Sequence, residues 1–221
     1  MTPQDDLAQV DALVATARAA QQAYEAGGSQ ERYDRAAQAA GWAIMEPARN
    51  RALAELAVET TGLGNVPDKI TKNHRKTLGL LRDIAGVQTQ GIISDDPATG
   101  ITEIMRPIGV IGAVVPSTNP AATPANNIIN AVKCGNAIIL SPSPKGVQGC
   151  ERLIGYIHAE FDRIGVPRDL VQMIPAPGTS FEVVSQGGPN FYQISTLFDP
   201  VVVSPAGARG LMQFMPATAR E

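Results

Sequence analysis

Residues 110–140 read VIGAVVPSTNPAATPANNIINAVKCGNAIIL, and this stretch decides the fold. It opens with an apolar run at 110–115, continues with a helical pattern over 121–133, and closes with a second apolar run at 137–140. Short apolar runs joined through a helix are typical of parallel strands, which are buried on both faces and need a crossover connection. The stretch therefore predicts two strands of one parallel sheet, joined by a right-handed crossover helix.

The residues that follow extend the same pattern. A helical pattern covers 147–164 and a third apolar run lies at 170–174, which together are typical of a doubly wound, Rossmann-like sheet. In such sheets, ligands bind beyond the carboxyl ends of the strands. The loops at 116–120, 141–145 and 175–180 are therefore the places where we expect a site.

Residues 1–85 have the spacing of helices rather than of strands. Apolar residues recur there at three- and four-residue steps, and Gly27-Gly28 is expected to end the first helix. Ser29 is placed to cap the second helix, and Pro47 suits the first turn of a third.

A fourth predicted helix follows Pro67 and carries a run of basic residues. We expect its apolar residues to face inward, namely Ile70, Leu78, Leu81 and Ile84. We expect its basic residues to face solvent, with phosphate binding as the alternative, namely Lys69, Lys72, Arg75 and Lys76.

Near residue 90 the period changes to that of strands. Ile92-Ile93 and the run 101–105 are predicted as short strands joined by a turn. The predicted fold is thus α/β, with a helical N-terminal segment followed by a doubly wound parallel sheet. We expect three parts: a helical and strand segment at 1–106, a Rossmann-like core at 107–177 and a divergent tail at 178–221.

Composition excludes several classes of protein. The chain has 221 residues, of which 44% are hydrophobic and 18% are charged, as in ordinary globular proteins. Its net charge of −3 argues against nucleic-acid binding, and no apolar run approaches the ~18–20 residues of a membrane span. The N-terminus lacks the pattern of a signal peptide. Cys134 and Cys150 are too few for a disulfide framework and lack metal-ligand spacing, so no metal and a cytoplasmic location are predicted.

The loop at 116–120, with the sequence PSTNP, is the first candidate for chemistry. Neither a G-x-G-x-x-G fingerprint nor a Walker loop is present. Asn119 follows a predicted strand, and a neutral amide donor suits an oxyanion that develops during acyl transfer. The alternative is that Asn119 only caps the following helix, which spacing alone favours.

Four blocks of sequence resemble a known family. They read GWAI at 41–44, AVETTGLGNVPDK at 57–69, PIGVIGAVVPSTNP at 107–120 and GNAIILSPSP at 135–144. These blocks resemble the CoA-acylating branch of the aldehyde dehydrogenase superfamily, and within it the acylating sulfoacetaldehyde dehydrogenases. The resemblance covers residues 8–176 and implies an incomplete aldehyde dehydrogenase fold.

The resemblance implies roles for particular residues. Asn119 would donate a hydrogen bond to the thiohemiacetal oxygen as the catalytic amide. The implied binding positions for NAD or NADP are Val115, Pro116, Ser117, Thr118, Ser141, Pro142, Ser143 and Gly178. The resemblance also implies CoA as co-substrate, a small aldehyde as substrate, and a homo-oligomer built through the strands near Ile92 and Ile101.

The catalytic cysteine that the family uses has no match in this sequence. Cys134 and Cys150 are both predicted to be small buried residues of helices. We therefore expect the NAD(P)-binding N-terminal portion of a CoA-acylating aldehyde dehydrogenase, inactive alone. The alternative is a non-catalytic folded fragment that binds nucleotide weakly or only self-associates.

The tail at 198–220 carries a second resemblance, centred on SPAGARGLMQFMPATA at 204–219. This string resembles the lytic transglycosylases, in which a glutamate serves as general acid/base. Ser195 stands at that position here, and a hydroxyl cannot protonate a glycosidic oxygen near neutral pH. A degenerate transglycosylase-like tail is therefore a further alternative. We interpret the tail as lying beyond a junction between 177 and 198 in a truncated, fused or artificial sequence, rather than as a distorted strand and turn of the dehydrogenase fold.

Overall fold

The computed structural model describes residues 3–174 and 191–193. In chain order the helices and strands are α1 (Pro3–Ala26), α2 (Gln30–Met45), α3 (Pro47–Thr61), α4 (Val66–Asp83), β1 (Gly91–Asp96), β2 (Ile101–Met105), β3 (Val110–Val115), α5 (Ala122–Lys133), β4 (Ala137–Pro142), α6 (Val147–Ile164), β5 (Val171–Met173) and β6 (Phe191–Gln193). Two short 3₁₀ helices, Pro144–Gly146 and Arg168–Leu170, precede α6 and β5.

The four strands β3 to β6 form one parallel sheet in the order β5-β4-β3-β6. Right-handed crossovers along β3, β4 and β5 place α5 and α6 on the same face of this sheet. Helix α1 packs against β3, β4 and β5, and α2 packs against α5 and α6. The predicted α/β fold with a doubly wound parallel sheet is confirmed.

The N-terminal helices begin where short-range chemistry favours a helix. The Ser29 hydroxyl accepts a hydrogen bond from Arg32 N (3.1 Å), which caps α2 as predicted. The Glu46 carboxylate accepts hydrogen bonds from the backbone nitrogens of Arg49 (2.8 Å) and Ala48 (3.2 Å), and these bonds hold the pKa of Glu46 below its usual value. Asn65 caps α4 by accepting from Asp68 N (2.9 Å).

One hydrophobic core joins these helices to the sheet. Tyr24 and Tyr33 are buried with their ring centroids 4.9 Å apart, and Tyr24 Oη donates to the Val132 carbonyl (3.2 Å). Gln21 Nε2 donates to the Gly135 carbonyl (3.1 Å), so α1 is fastened to the turn between α5 and β4. The core holds residues from both sides of position 106, and the domain boundaries proposed above stay a prediction.

A buried amide fixes the start of β3. Asn136 is 4% exposed, and its Oδ1 accepts hydrogen bonds from Ile108 N (2.7 Å) and Gly109 N (2.9 Å). Because Asn136 directly precedes β4, these bonds align the amino ends of β3 and β4. The carboxyl ends of the two strands are thereby placed side by side.

Strands β1 and β2 form a separate antiparallel hairpin, as predicted. Every residue of both strands is exposed. The large apolar residues exposed on the hairpin and just after it are Ile92, Ile93, Ile101, Ile104, Met105 and Ile108. Ile92 and Ile104 lie on one face of the hairpin and Ile101 and Met105 on the other, so both faces expose apolar side chains. A two-stranded sheet of this kind is barely stable alone.

Helix α4 differs from the prediction because its buried side is polar. Lys69, Asn73 and Thr77 are buried one turn apart, whereas the four apolar residues expected inside are only half-buried. Asn73 Nδ2 donates to Asn50 Oδ1 (3.0 Å), and Asn50 Nδ2 donates to the Ile70 carbonyl (3.1 Å). The prediction that Lys69 faces solvent is therefore wrong.

Candidate active site

The two loops predicted to bind the cofactor begin at neighbouring positions. Val115 ends β3 and is paired with Pro142, which ends β4, while Val114 is paired with Ser141. Ser143 N donates to the Val115 carbonyl (3.0 Å), so the second loop is tied to the end of the first strand. The structure thus brings the predicted positions of both strands to one edge of the sheet.

Asn119 lies half-buried in the turn between β3 and α5. Helix α5 begins after Ala121 with no side-chain cap, so the prediction that Asn119 caps this helix is wrong. Within the ranges that the structure describes, the Asn119 side chain makes no hydrogen bond. Its amide is therefore available to a ligand at the carboxyl end of β3.

The start of α6 has features that suit a phosphate-bearing cofactor. Ser143 Oγ is buried and has no hydrogen-bond partner among the described residues, and α6 has no side-chain cap. A Cβ atom added at Gly146 would lie 3.1 Å from Ser143 Oγ and 3.3 Å from Pro120 Cβ. Glycine leaves the backbone at position 146 without a side chain. Helix N-termini attract phosphate groups through their free N–H groups. The residues present therefore fit a dinucleotide.

Lys69 reaches the same turn from α4. Its Nζ donates to the Thr118 carbonyl (3.1 Å), although the residue is only 5% exposed. Burial, and then repulsion from Lys72, lower the pKa of Lys69. A cleft of about 370 Å³ opens beside this contact, and its lining residues are Leu63, Gly64, Asn65, Asp68, Lys69, Lys72 and Thr118.

Sequence reasoning placed Lys69 among the solvated basic residues and missed this contact. A signal was available, because Lys69, Asn73 and Thr77 repeat every four residues and so share one side of a helix. That stripe is polar, whereas the apolar residues of the helix were assumed to face inward.

Neither cysteine is placed as an accessible thiol at this edge of the sheet. Cys150 is fully buried on α6, and burial raises the pKa of its thiol to about 12. Cys134 is half-buried after the last residue of α5, and burial raises the pKa of its thiol despite nearby Lys133. Because α5 has 12 residues, Cys134 lies ~18 Å along the helix from its start.

Other features of the described residues lie away from the site. A pocket of about 650 Å³ between α3 and α4 contains neither Asn119 nor any of the predicted NAD(P)-binding positions. In residues 3–174 and 191–193, no group of three or more His, Cys, Asp or Glu side chains is placed to hold a metal ion. None of the helices described is long and apolar enough to cross a bilayer. Gly178, the loop at 175–180, Ser195 and the string at 204–219 lie outside the described residues.

Two family models match the chain in different regions. The aldehyde dehydrogenase family matches residues 1–189, and the transglycosylase SLT domain matches residues 195–221. Both resemblances inferred from the sequence are thus confirmed. The two matches meet inside the interval 177–198, where we placed a junction.

Comparison with known proteins agrees with the longer match. The chain is 66% identical over 168 residues to sulfoacetaldehyde dehydrogenase (acylating) from Cupriavidus necator, a match covering 76% of this chain and 34% of that protein. This chain spans about a third of the length of the sulfoacetaldehyde dehydrogenases that it matches.

Solved structures of acylating enzymes share the fold. An acetylating aldehyde dehydrogenase from Geobacillus thermoglucosidasius superimposes with a TM-score of 0.74 at 31% identity, covering 82% of this chain and 39% of that one. Propionaldehyde dehydrogenase from Rhodopseudomonas palustris, solved with bound CoA, gives 0.66 at 29% identity over 84% and 42%. An engineered glycolyl-CoA reductase with bound NADP⁺ gives 0.63 at 28% identity over 88% and 41%. This chain belongs to the aldehyde dehydrogenase family.

Proposed function

We propose that this chain forms the NAD(P)-binding and oxyanion-stabilising part of a CoA-acylating aldehyde dehydrogenase. The observation that carries the proposal is the amide of Asn119, which has no hydrogen-bond partner within residues 3–174 and 191–193 and lies beside the paired strand ends Val115 and Pro142. An amide with no protein partner at the ligand-binding edge of a parallel sheet is free to donate to a substrate oxygen.

The residues of this chain would divide the work between two neighbouring loops. When bound, the oxidised nicotinamide accepts the hydride that leaves the aldehyde carbon. The loop at 116–118 would line the nicotinamide side, with Asn119 donating to the oxygen that becomes negatively charged. Ser143 and the uncapped start of α6 would hold the adenosine half and its phosphates.

The names of the relatives support the class of substrate. The Cupriavidus necator relative is a sulfoacetaldehyde dehydrogenase of the acylating type, and the Rhodopseudomonas palustris structure contains CoA. We therefore propose a small aldehyde as substrate and CoA as the acceptor of the acyl group. A cytoplasmic location stays a prediction from the sequence.

Nucleotide titration tests this proposal. We expect NAD⁺ or NADP⁺ to bind weakly, with a Kd above ~100 μM, because this chain supplies only part of the cleft. Gly146→Val should abolish the binding, because a larger side chain would fill the space between Ser143 Oγ and Pro120. Gly155→Val on the exposed side of α6, where a Cβ meets nothing within 4 Å, is the matched control. Calorimetry that detects no heat with either nucleotide at millimolar concentration would contradict the proposal.

We expect copies of the chain to associate through the β1–β2 hairpin. Its exposed apolar residues lack a covering element in the described structure, so copies of the chain are expected to pair through them. Ile104→Lys should shift the chain toward monomer, because a charge would be buried in the contact. Ser94→Lys adds the same charge beside Glu103 on the other face of the hairpin, so a smaller shift than that of Ile104→Lys would assign the contact to the Ile104 face.

Sedimentation velocity over a range of concentrations measures this effect. A wild-type chain that remains monomeric at every concentration would rule out association through the hairpin. So would an Ile104→Lys variant that associates as strongly as the wild type.

A further inference from the structure

Asn119 and Pro120 have the sequence of a helix start that the structure does not use. Asn is among the residues preferred at the N-cap, and Pro is enriched at the first helical position that follows. Local preference would therefore begin a helix at Pro120, with Asn119 as its cap. The structure instead begins α5 at Ala122, after a helical backbone at Ala121 (φ −115°, ψ −57°) and without a side-chain cap.

The carbonyl that joins Thr118 to Asn119 is held from another helix. Lys69 on α4 donates from Nζ to this carbonyl (3.1 Å), and the residue is only 5% exposed. Among the described residues, the Thr118 carbonyl is the one hydrogen-bond acceptor of Lys69 Nζ. The peptide plane that precedes Asn119 is thus fixed by a side chain 49 residues away.

Helix α4 is itself fixed where Lys69 leaves it. One turn further along, Asn73 Nδ2 donates to Asn50 Oδ1 of α3 (3.0 Å), and Asn50 Nδ2 donates back to the Ile70 carbonyl (3.1 Å). Asn50 and Asn73 are each 3% exposed. These buried bonds set the register of α4 against α3, so Lys69 reaches Thr118 from a rigid support.

The residue on the other side of Asn119 is held as well. Pro120 packs against the start of α6, because a Cβ atom added at Gly146 or Gly149 would lie 3.3 Å or 3.6 Å from Pro120 Cβ. Tertiary contacts therefore hold both neighbours of Asn119. Its own side chain makes no hydrogen bond within the part of the chain that the structure describes.

We propose that Lys69 is a positioning residue: its hydrogen bond to the Thr118 carbonyl keeps Asn119 from capping α5 and so leaves the Asn119 amide for the reacting oxygen. A hydrogen bond from an ammonium group is at least as strong as an N-cap, so it can hold the turn against local preference. An amide that capped α5 would be oriented by that helix rather than by a ligand. The proposal rests on the function proposed above and adds a residue that acts through Asn119.

Thermal unfolding of a double-mutant cycle in the complete chain tests the proposal without any ligand. In the wild type, Asn119→Ala should change the Tm by no more than about 1 °C, because the side chain has no partner. In Lys69→Met, where Asn119 is released to cap α5, the same replacement should lower the Tm by about 2–4 °C. Lys69→Gln takes the place of Lys69→Met if the latter does not fold.

Two further backgrounds serve as controls. Lys76 is exposed on the same helix, so Asn119→Ala should leave the Tm unchanged in Lys76→Met. Lys69→Arg keeps a charged donor and should also leave the Tm insensitive to Asn119→Ala. A purely structural role of Lys69 could lower the Tm of Lys69→Met, but it would not make that Tm depend on Asn119.

Three results would overturn the proposal. The first is a loss of about 2–4 °C from Asn119→Ala in the wild type, since Asn119 would then already cap α5. The second is the absence of that loss in Lys69→Met, and the third is an equal loss in Lys69→Arg and Lys69→Met. Titration of the wild type with NAD⁺ and NADP⁺ keeps the two proposals apart. Coupling of Lys69 to Asn119 in a chain that binds neither nucleotide would contradict the proposed function and leave the control of the turn standing.

Discussion

The purified chain is expected to form no reduced nicotinamide from any aldehyde, with or without CoA. A CoA-acylating reaction of this type needs a cysteine thiolate next to the amide that binds the carbonyl oxygen. The sequence contains two cysteines, Cys134 and Cys150. The pKa of Cys150 is raised to about 12 and that of Cys134 is also raised, so both stay protonated at neutral pH. We therefore expect no detectable turnover, rather than a slow reaction.

The absorbance of the reduced nicotinamide tests this prediction directly. The assay uses the complete chain with NAD⁺ or NADP⁺, CoA, and several aldehydes that include an anionic one. Sustained formation of reduced cofactor that disappears in Cys134→Ser or Cys150→Ser would show that one of these thiols acts as nucleophile. Activity that persists in both variants would point to a contaminating enzyme.

Cleavage of peptidoglycan is expected to be absent as well. The match to the transglycosylase domain covers residues 195–221, and the resemblance implies that Ser195 stands where that family uses a glutamate. Ser195→Glu restores one carboxyl group, but a 27-residue match does not include a sugar-binding cleft. Loss of turbidity in a cell-wall suspension treated with Ser195→Glu would contradict this expectation.

Substitution of Gly135 by alanine is expected to cause a large loss of stability. Gly135 has a φ of +72°, and a Cβ there would lie 2.8 Å from Pro107 Cγ and 2.8 Å from Tyr33 Oη. The strain of a left-handed backbone adds to the overpacking of a buried turn. Together these effects should lower the free energy of unfolding by about 2–4 kcal/mol.

A second glycine separates the two causes. Gly165 has a φ of +68°, but a Cβ there would meet nothing within 4 Å. Gly165→Ala should therefore cost only the backbone strain, about 1 kcal/mol. Urea unfolding of both variants gives the comparison through the free energy extrapolated to water. Equal losses for the two variants would show that the contacts around Gly135 relax without cost.

Short-range features of the fold could be predicted from the sequence. Ser29 caps α2, Pro47 begins α3, and the strands at 110–115 and 137–142 pair in parallel around α5. The caps depend on residues within one turn. The strand pairing follows from the apolar runs and the helical pattern between them, which are typical of a parallel strand–helix–strand unit. The same pattern predicted which edge of the sheet carries the candidate site.

The tertiary structure decided which side chains have partners at that edge. Spacing alone favoured Asn119 as a helix cap, but α5 begins without a side-chain cap, and the Asn119 amide has no hydrogen-bond partner among the described residues. Lys69 was assigned to solvent, but packing of α4 against α2, α3 and α5 buries it, and its Nζ contacts a carbonyl 49 residues away. The pairing of β6 with β3 likewise joins distant residues.

The physical reason for this division is the range of the forces involved. Local sequence fixes where a helix begins and which residues share a side, as it did for Lys69, Asn73 and Thr77. Which side is buried depends on the shape and polarity of the elements that pack against it, since buried polar groups need partners from distant parts of the chain. The sequence by itself determined the parallel strands and the edge at which we expect a ligand. Only the tertiary structure set Lys69, which has no carboxylate within 4 Å among the described residues, beside the turn that carries Asn119.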